Sequence, residues 1–227
     1  MILLPVKNLA TAKQRLAAAL DQAARTELAQ AMLSDVVAAI AAFAGDQVAL
    51  ITSDPFAMEL AERFRFEVIR DESNVSETDA IEMATQVCQR REIKSTLVIP
   101  GDIPLIDASD IRTIYDAKPD TGSVLVPSRD KRGTNAALRR PAALFPLRFG
   151  NDSFMPHLAA AIATNRSCVV LSLPRIGLDI DTADDLHELA LAPGEKRSQV
   201  LARSLGFGEM RQSGRDSTDQ SSLAVKS

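Results

Sequence analysis

Segments with the pattern of a buried β-strand alternate along this chain with segments that have the pattern of an amphipathic α-helix. Such alternation predicts an α/β fold in which strands pair mostly in parallel and are joined by right-handed crossovers. The predicted strands span 1–6, 47–52, 66–69, 95–99, 123–127, 134–139 and 168–173, and the predicted helices span 21–43, 55–63, 76–91, 107–115, 153–165 and 182–191. Because the interval 124–150 lacks a strong helix pattern, we expect an antiparallel strand there.

Length and composition indicate one large domain. The chain has 227 residues and 46% hydrophobic residues, which is enough for a sizeable core. We predict a domain over 1–208 and a disordered tail over 209–227, where polar residues dominate. No signal peptide and no 18-residue apolar span are expected, so we predict a cytoplasmic protein that does not bind a membrane.

Charge and aromatic content exclude some classes of partner. A net charge of −4 argues against a protein that binds nucleic acid through a basic surface. Aromatic residues are only 4% of the chain, so base-stacking surfaces are not expected either. Cys88 and Cys168 are isolated and lack metal-ligand spacing, which is typical of small core residues in a reducing compartment.

Three cations follow the first predicted strand. Lys7, Lys13 and Arg15 lie in the segment that leaves the carboxyl end of this strand. Ligands of open α/β sheets bind at that edge, and clustered Lys and Arg suit a polyphosphate. The alternative is a basic loop that only contacts solvent.

Two acidic motifs come later in the chain. Asp102 directly follows the buried strand over 95–99, and Asp179 and Asp181 are spaced so that they project from one side of an extended segment. Carboxylates with substrate phosphates are typical ligands of Mg²⁺, so these three residues are candidates for one metal site. The alternatives are that Asp102 caps a turn and that Asp181 or Thr182 caps a helix.

Two glycine-containing stretches, 132–138 and 147–154, are candidates for binding an anionic acceptor. Small residues beside Gly133 and Gly150 expose backbone amides, and a helix begins near Ser153, which is alternatively its N-cap. His157 and His187 lie on predicted helices with no nucleophile motif nearby, so we interpret them as packed or surface residues. The sequence has neither a P-loop motif nor a dinucleotide-binding glycine motif, which disfavours both of those classes.

Taken together, these stretches resemble the guanylyltransferases of coenzyme F420 biosynthesis over about 1–190. That family includes 2-phospho-L-lactate guanylyltransferase and its phosphoenolpyruvate and 3-phosphoglycerate variants. The resemblance rests on the order of five motifs: Pro5-Val6-Lys7 with Lys13 and Arg15, Pro100-Gly101-Asp102-Ile103-Pro104, Gly133-Thr134-Asn135, Arg148-Phe149-Gly150 with Ser153, and Leu178-Asp179-Ile180-Asp181-Thr182. Many members of that family have a Gly-Leu-Asn run before the helix that starts here near Ser76-Glu77-Thr78, and this chain lacks the run.

The resemblance implies a nucleotidyltransferase-type, Rossmann-like three-layer sandwich with a mostly parallel sheet. It implies that GTP is bound by Pro5, Val6, Lys7, Lys13, Arg15 and Asp71, that Mg²⁺ is bound by Asp102, Asp179 and Asp181, and that the acceptor is bound by Thr134, Gly150 and Ser153. Lys7, Lys13 and Asp102 are the implied catalytic residues.

The implied reaction joins GMP to the phosphate of a three-carbon phospho-acid and releases pyrophosphate. The acceptor stays open between 3-phospho-D-glycerate, 2-phospho-L-lactate and phosphoenolpyruvate. Two alternatives stay open as well: a related molybdopterin guanylyltransferase or cytidylyltransferase, and a non-catalytic nucleotide-binding module. A downstream transferase that uses the labile product and a second copy of the chain are the expected protein partners.

Overall fold

The computed structural model describes residues 1–71, 76–150 and 152–208. Within these residues, strands form one sheet whose members are β1 (Ile2–Pro5), β2 (Val48–Ile51), β3 (Glu67–Ile69), β4 (Thr96–Val98), β5 (Gly122–Pro127), β6 (Thr134–Arg140) and β7 (Ser167–Val170). The order across the sheet is β3-β2-β1-β4-β6-β5-β7.

The pairing pattern agrees with the predicted fold class. Parallel ladders join β1 to β2 and β4, β2 to β3, and β5 to β7. β6 lies between β4 and β5 and runs antiparallel to both, with Leu138 opposite Leu97 and Val124. The mostly parallel sheet and the antiparallel strand in the helix-poor interval are therefore both confirmed.

Helices cover both faces of this sheet. Their bounds are α1 (Gln22–Phe43), α2 (Pro55–Phe64), α3 (Glu77–Arg90), α4 (Ala108–Asp116), α5 (Phe154–Ala163), α6 (Pro174–Gly177), α7 (Ala183–Leu191) and α8 (Arg197–Ser204). Two short 3-10 turns, Leu9–Thr11 and Gln14–Leu16, follow β1. The sequence analysis did not predict these turns, α6 or α8.

Alternating side chains of β1 explain the three layers. Ile2 and Leu4 pack in one cluster with Val36 of α1, whereas Leu3 packs in a second cluster with Ile81 of α3. Successive strand residues point to opposite faces, so a continuous apolar run buries both faces of the central strand. The loop that follows β1 is thus attached to a strand that is buried on both faces.

α1 differs from its sequence-based interpretation in one respect. In the described residues it is the one helix that is long and apolar enough to cross a membrane, so the expectation of no 18-residue apolar span is wrong by that measure. More than half of the apolar segment is buried inside the protein, where Leu28, Met32 and Val36 are fully enclosed. Asp21 caps the helix by accepting a hydrogen bond from the Ala24 amide at 2.8 Å. α1 is therefore a core helix of the α/β fold.

The predicted strand over 168–173 is shorter in the structure. β7 ends at Val170, and α6 begins at Pro174. Proline cannot donate a hydrogen bond to a strand ladder but suits the first turn of a helix. This early turn leads the chain back towards Asp179.

α8 was missed because its sequence is short and polar, and contacts far along the chain hold it. Asp35 of α1 accepts hydrogen bonds from the amides of Arg197 and Ser198 at 3.1 and 2.9 Å. The Lys196 ammonium, next to the helix, donates to the carbonyls of Pro104 and Ile106 at 2.7 and 2.6 Å. The predicted tail over 209–227 lies outside the described residues, so the domain boundary stays a prediction.

Candidate active site

Two adjoining clefts open at the carboxyl ends of β1 and β4. The first cleft, of about 260 Å³, is lined by the loop after β1, including Pro5, Val6, Lys7 and Lys13. The second cleft, of about 390 Å³, is lined by residues that include Arg15, Thr134, Gly150, Ser153, Asp179 and Asp181. Glu77 and Asp102 line both clefts. Of the predicted site residues, Asp71 alone lines neither.

Lys13 lies at the centre of the charged groups. Its ammonium is 2.6 Å from Oδ2 of Asp102 and 3.0 Å from Oδ1 of Asp181, and Arg15 reaches the other oxygen of Asp181 at 3.0 Å. The Lys13 side chain is only 9% exposed. Burial alone lowers the pKa of an ammonium, but the two carboxylates outweigh it and raise the pKa of Lys13 above its usual value. Lys13 is therefore a fixed positive charge between the two acidic motifs.

The backbone of Lys13 is also unusual. Its φ of 55° and ψ of 43° lie in the left-handed region, which side chains other than glycine rarely adopt. Such residues persist where the surrounding contacts fix them, and they cluster at functional sites. Here the two ion pairs to Asp102 and Asp181 hold the strained residue.

Asp179 lies on the other side of the acidic cluster. Its Oδ1 accepts a hydrogen bond from the Asn135 amide at 3.0 Å. Burial raises the pKa of Asp179, and the nearby charges of Asp102 and Asp181 add to the rise. The backbone amide of Ile180 donates to the carbonyl of Asp102 at 3.1 Å. This backbone bond and the Lys13 bridge between Asp102 and Asp181 both join the two acidic motifs.

The predicted metal site is only partly assembled. In residues 1–71, 76–150 and 152–208, no group of three or more His, Cys, Asp or Glu side chains is spaced to hold a metal ion. Asp102 and Asp181 instead converge on the Lys13 ammonium, because adjacent carboxylates without a cation repel each other. The donor set consists of carboxylate oxygens beside an open cleft, and it fits a hard cation such as Mg²⁺. Thr182 caps α7, so the helix-capping alternative is confirmed for Thr182 and not for Asp181. The Asp102 carboxylate pairs with Lys13, and its turn-capping alternative stays a prediction.

Lys7 and Asp71 form a second ion pair. Their charged atoms are 2.6 Å apart, and the Asp71 side chain is almost fully buried. The pair joins the loop after β1 to the segment after β3. Asp71 thus reaches the first cleft through Lys7, and its role in binding a nucleotide stays a prediction.

The three predicted acceptor residues meet in the second cleft. The Thr134 amide donates to Oγ of Ser153 at 3.1 Å, and Ser153 itself makes no capping hydrogen bond to α5. Ser153 therefore occupies the N-cap position of α5, but its side chain does not cap the helix. Gly150 has a φ of +139°, and a Cβ built there meets no atom within 4 Å. The glycine is needed for its backbone conformation rather than for lack of space.

Sequence reasoning missed Glu77, which is half-buried at the first position of α3. Burial and the nearby charge of Asp102 raise the pKa of Glu77 to about 7, although Lys7 and Lys13 oppose the rise. The capping pattern that begins at Ser76 placed Glu77 on the correct helix but gave no sign of the clefts. Its only sequence signal is its position in Ser76-Glu77-Thr78, next to the place where many members of the family have a Gly-Leu-Asn run.

Solved structures with a similar backbone identify the fold. A structure described as a nucleotide-diphospho-sugar transferase from Desulfovibrio desulfuricans G20 superimposes with a TM-score of 0.73 and 16% identity, covering 89% of this chain and 93% of that chain. A CMP:2-keto-3-deoxy-manno-octonic acid synthetase superimposes with a TM-score of 0.55 and 15% identity, covering 90% and 98%. The described residues therefore have the nucleotidyltransferase fold that the sequence analysis predicts.

The chain belongs to the CofC-like guanylyl transferase family, whose model matches residues 1–222. It is 36% identical over 201 residues to a phosphoenolpyruvate guanylyltransferase of Roseiflexus castenholzii, covering 88% of this chain and 92% of the relative. It is 32% identical over 205 residues to a 2-phospho-L-lactate guanylyltransferase of Methanothermobacter thermautotrophicus, covering 90% of each. The resemblance is confirmed, and the protein is an enzyme of the transferase class.

Proposed function

We propose that this enzyme transfers GMP from GTP to the phosphate of a three-carbon phospho-acid and releases pyrophosphate, as a cytoplasmic step of coenzyme F420 biosynthesis. The acceptor is 3-phospho-D-glycerate, 2-phospho-L-lactate or phosphoenolpyruvate. One observation carries the proposal: the Lys13–Asp102–Asp181 cluster lies between the cleft behind β1 and the hydroxyl-lined second cleft. That arrangement suits a triphosphate on one side and a small anion on the other.

The reaction needs no general base from the protein. An oxygen of the acceptor phosphate attacks the α-phosphorus of GTP, a new P–O bond forms, and the bond to the β-phosphate oxygen breaks. Pyrophosphate leaves with the bonding electrons. Because the second pKa of a phosphate monoester is near 6, the attacking oxygen is already ionised at pH 7. Catalysis then consists of positioning and charge neutralisation, which agrees with a site built from Lys, Arg and Asp.

Residues that line the two clefts would share the binding of GTP, Mg²⁺ and the acceptor. Lys7, Lys13 and Arg15 bind the phosphates of GTP, and Pro5 and Val6 form the wall of the first cleft against which the nucleotide lies. Asp102, Asp179 and Asp181 would hold Mg²⁺, which when bound neutralises charge on the phosphates. With GTP in the cleft, the Lys13 ammonium would contact phosphate oxygens in place of its carboxylate partners. Thr134, Gly150 and Ser153 bind the acceptor.

A pyrophosphate-release assay tests the proposal. Each nucleoside triphosphate, with Mg²⁺, is crossed with the three phospho-acids, with a sugar 1-phosphate and a molybdopterin-type acceptor as controls. We expect release only with GTP and at least one phospho-acid. Release with only the sugar phosphate or the pterin would contradict the acceptor class, and release with none would favour a non-catalytic nucleotide-binding module.

Two expectations about protein partners stay predictions. A downstream transferase would take the labile phosphoanhydride product, and a second copy of the chain would form a homodimer. Size-exclusion chromatography with light scattering measures the mass in solution and tests the homodimer directly.

A further inference from the structure

His157, which sequence reasoning set aside, contacts two parts of the second cleft at once. It lies in the first turn of α5, and it is 1% exposed. Its Nε2 is 2.7 Å from the backbone nitrogen of Arg148, and its Nδ1 is 2.9 Å from Oγ1 of Thr134. The Phe149 ring packs against it in a T-shaped arrangement, with the ring centroids 5.1 Å apart. One buried imidazole therefore joins the start of β6 to the segment before Gly150.

These partners assign the tautomer of the ring. A backbone N–H can only donate, so Nε2 of His157 accepts from Arg148 and carries no proton. Burial and the charge of Arg139 lower the pKa of His157 to about 4, although the Arg148 bond opposes this, so the ring is neutral at pH 7. The one remaining proton is on Nδ1, and it is donated to Oγ1 of Thr134.

The tautomer in turn fixes the direction of the Thr134 hydroxyl. Oγ1 of Thr134 accepts from His157, and Oγ of Ser153 accepts from the Thr134 amide. Throughout the described ranges, neither hydroxyl hydrogen has a protein acceptor. Both residues line the second cleft with Gly150. Each hydroxyl is thus left with a proton to donate, which suits an anionic ligand and not a cation.

We propose that His157 is a positioning residue that keeps the Thr134 hydroxyl as a hydrogen-bond donor to an anionic acceptor in the second cleft. It also fixes the wall before Gly150 through the Arg148 amide. This inference rests on the proposed function, because it assigns the acceptor and not GTP to that cleft. His157 does not touch the reacting atoms and acts through Thr134.

Steady-state kinetics of matched variants test the role. His157→Phe keeps an aromatic ring beside Phe149 but removes both hydrogen bonds, whereas His157→Asn keeps an amide N–H near the position of Nδ1. We expect His157→Phe to raise the KM of the phospho-acid about tenfold and to leave the KM of GTP within about twofold. His157→Asn should recover most of the loss. His187→Gln, on α7, is the control and should behave like wild type.

A double-variant cycle separates positioning from packing. Thr134→Val removes the hydroxyl that His157 orients, so in that background His157→Phe should raise the acceptor KM much less, by the part that its contact with the Arg148 amide supplies. If the fold-changes that the two substitutions cause in the acceptor KM multiply in the double variant, the proposal is overturned. A parallel rise in the KM of GTP would overturn it as well. An unchanged acceptor KM in His157→Phe would do the same.

A spectroscopic measurement keeps the inference testable if a variant does not fold. The chain has two histidines, so the His187→Gln protein labelled with ¹⁵N gives imidazole signals from His157 alone. We expect the Nδ1–H tautomer at pH 7, and an Nε2–H or doubly protonated ring would overturn the inference. If wild type transfers GMP to no phospho-acid, the proposed function fails, and the acceptor role of His157 fails with it. An active wild type with the wrong tautomer would overturn only the present inference.

Discussion

The site has a charged half, formed by Lys13, Asp102 and Asp181, and a neutral half, formed by Thr134, Ser153 and His157. The two halves stabilise their polar groups in different ways. Around the first cleft, charges are paired with one another, as in the contacts of Lys13 with Asp102 and Asp181 at 2.6 and 3.0 Å. At the acceptor-binding end of the second cleft, hydrogen bonds order neutral groups: His157 donates to Thr134, and the Thr134 and Ser153 hydroxyls each keep a proton to donate. The charged half must exchange partners when a ligand binds, whereas the neutral half is already arranged for one.

This difference predicts how each half responds to change. Removing a charge should alter the rate and the binding of the nucleotide, because the ion pairs hold the groups that would meet the phosphates. Removing a hydrogen bond in the neutral half should alter the binding of the acceptor. The following experiments test this division, beginning with the largest expected effect.

Asp102→Asn should reduce turnover at least about a hundredfold, the size expected for loss of one strong electrostatic contact in catalysis. The fold should survive, because the Asp102 side chain is 32% exposed and outside the core. Pyrophosphate release and thermal unfolding measure the two effects. Asp184→Asn is the matched control, since this carboxylate lies in the exposed first turn of α7. Near-normal turnover in Asp102→Asn would show that Asp102 is not a catalytic residue.

Acid should destabilise the neutral half through His157. Its pKa is about 4 in the folded protein, against an ordinary value near 6.5. The unfolded chain therefore binds more protons between these values, so stability is complete above about pH 6.5 and falls as the pH drops towards 4. The loss from this residue is roughly 3 kcal/mol.

Urea denaturation at several pH values measures the effect. His157→Phe should have a smaller loss of unfolding free energy between pH 7 and pH 4.5 than wild type has. Equal slopes in the two proteins would contradict a neutral, buried imidazole.

Lys13→Ala should weaken GTP binding and slow transfer. A hydrogen bond between charged groups contributes about 1.5–3 kcal/mol, which is roughly a ten- to hundredfold change. The KM of the acceptor should change less. Arg91→Ala is the control, because its ion pair with Glu67 is exposed and outside both clefts. Unchanged GTP affinity and rate would favour a loop that only contacts solvent.

Gly150→Val should have the smallest effect and should fall on the acceptor side. Because space around Gly150 is open, the valine is not excluded by a clash; it is strained by a φ of +139°. A shift of this segment should raise the KM of the phospho-acid several-fold, equivalent to about 1 kcal/mol. GTP binding, measured by titration calorimetry, should not change. A parallel loss of GTP affinity would show that the two halves are not independent.

The sequence predicted the parts of the fold that depend on local pattern. The apolar run at Ile2–Pro5 and the capped start of α1 were predicted to within a few residues, because burial periodicity and capping act over short distances. Ligands of open α/β sheets bind at the carboxyl ends of the strands, and this rule predicted that Lys13 and Asp102 lie at the same edge of the sheet. The two residues are 89 positions apart in the chain. Long-range geometry was thus predictable where topology alone decides it.

Side-chain roles that depend on a specific distant partner could not be predicted. Ser153 has the position of a helix cap, yet its hydroxyl accepts from Thr134. His157 has an ordinary helical context, and only the folded chain brings Arg148 and Thr134 to its two nitrogens. Glu77 likewise acquires its raised pKa from the burial and charges that the fold supplies.

The contact between Lys196 and the loop after Asp102 has a consequence for how the protein is made. A chain emerging from the ribosome has completed β1 and β4 long before residue 196 exists, yet the carbonyls of Pro104 and Ile106 receive their bonds from that lysine. The Asp35 carboxylate likewise gains its hydrogen bonds from the amides of Arg197 and Ser198 only after these residues have been synthesised. Until residues 196–198 have been made, the chain has the charged residues without the contacts that hold their loop, and we expect activity to begin only after that point.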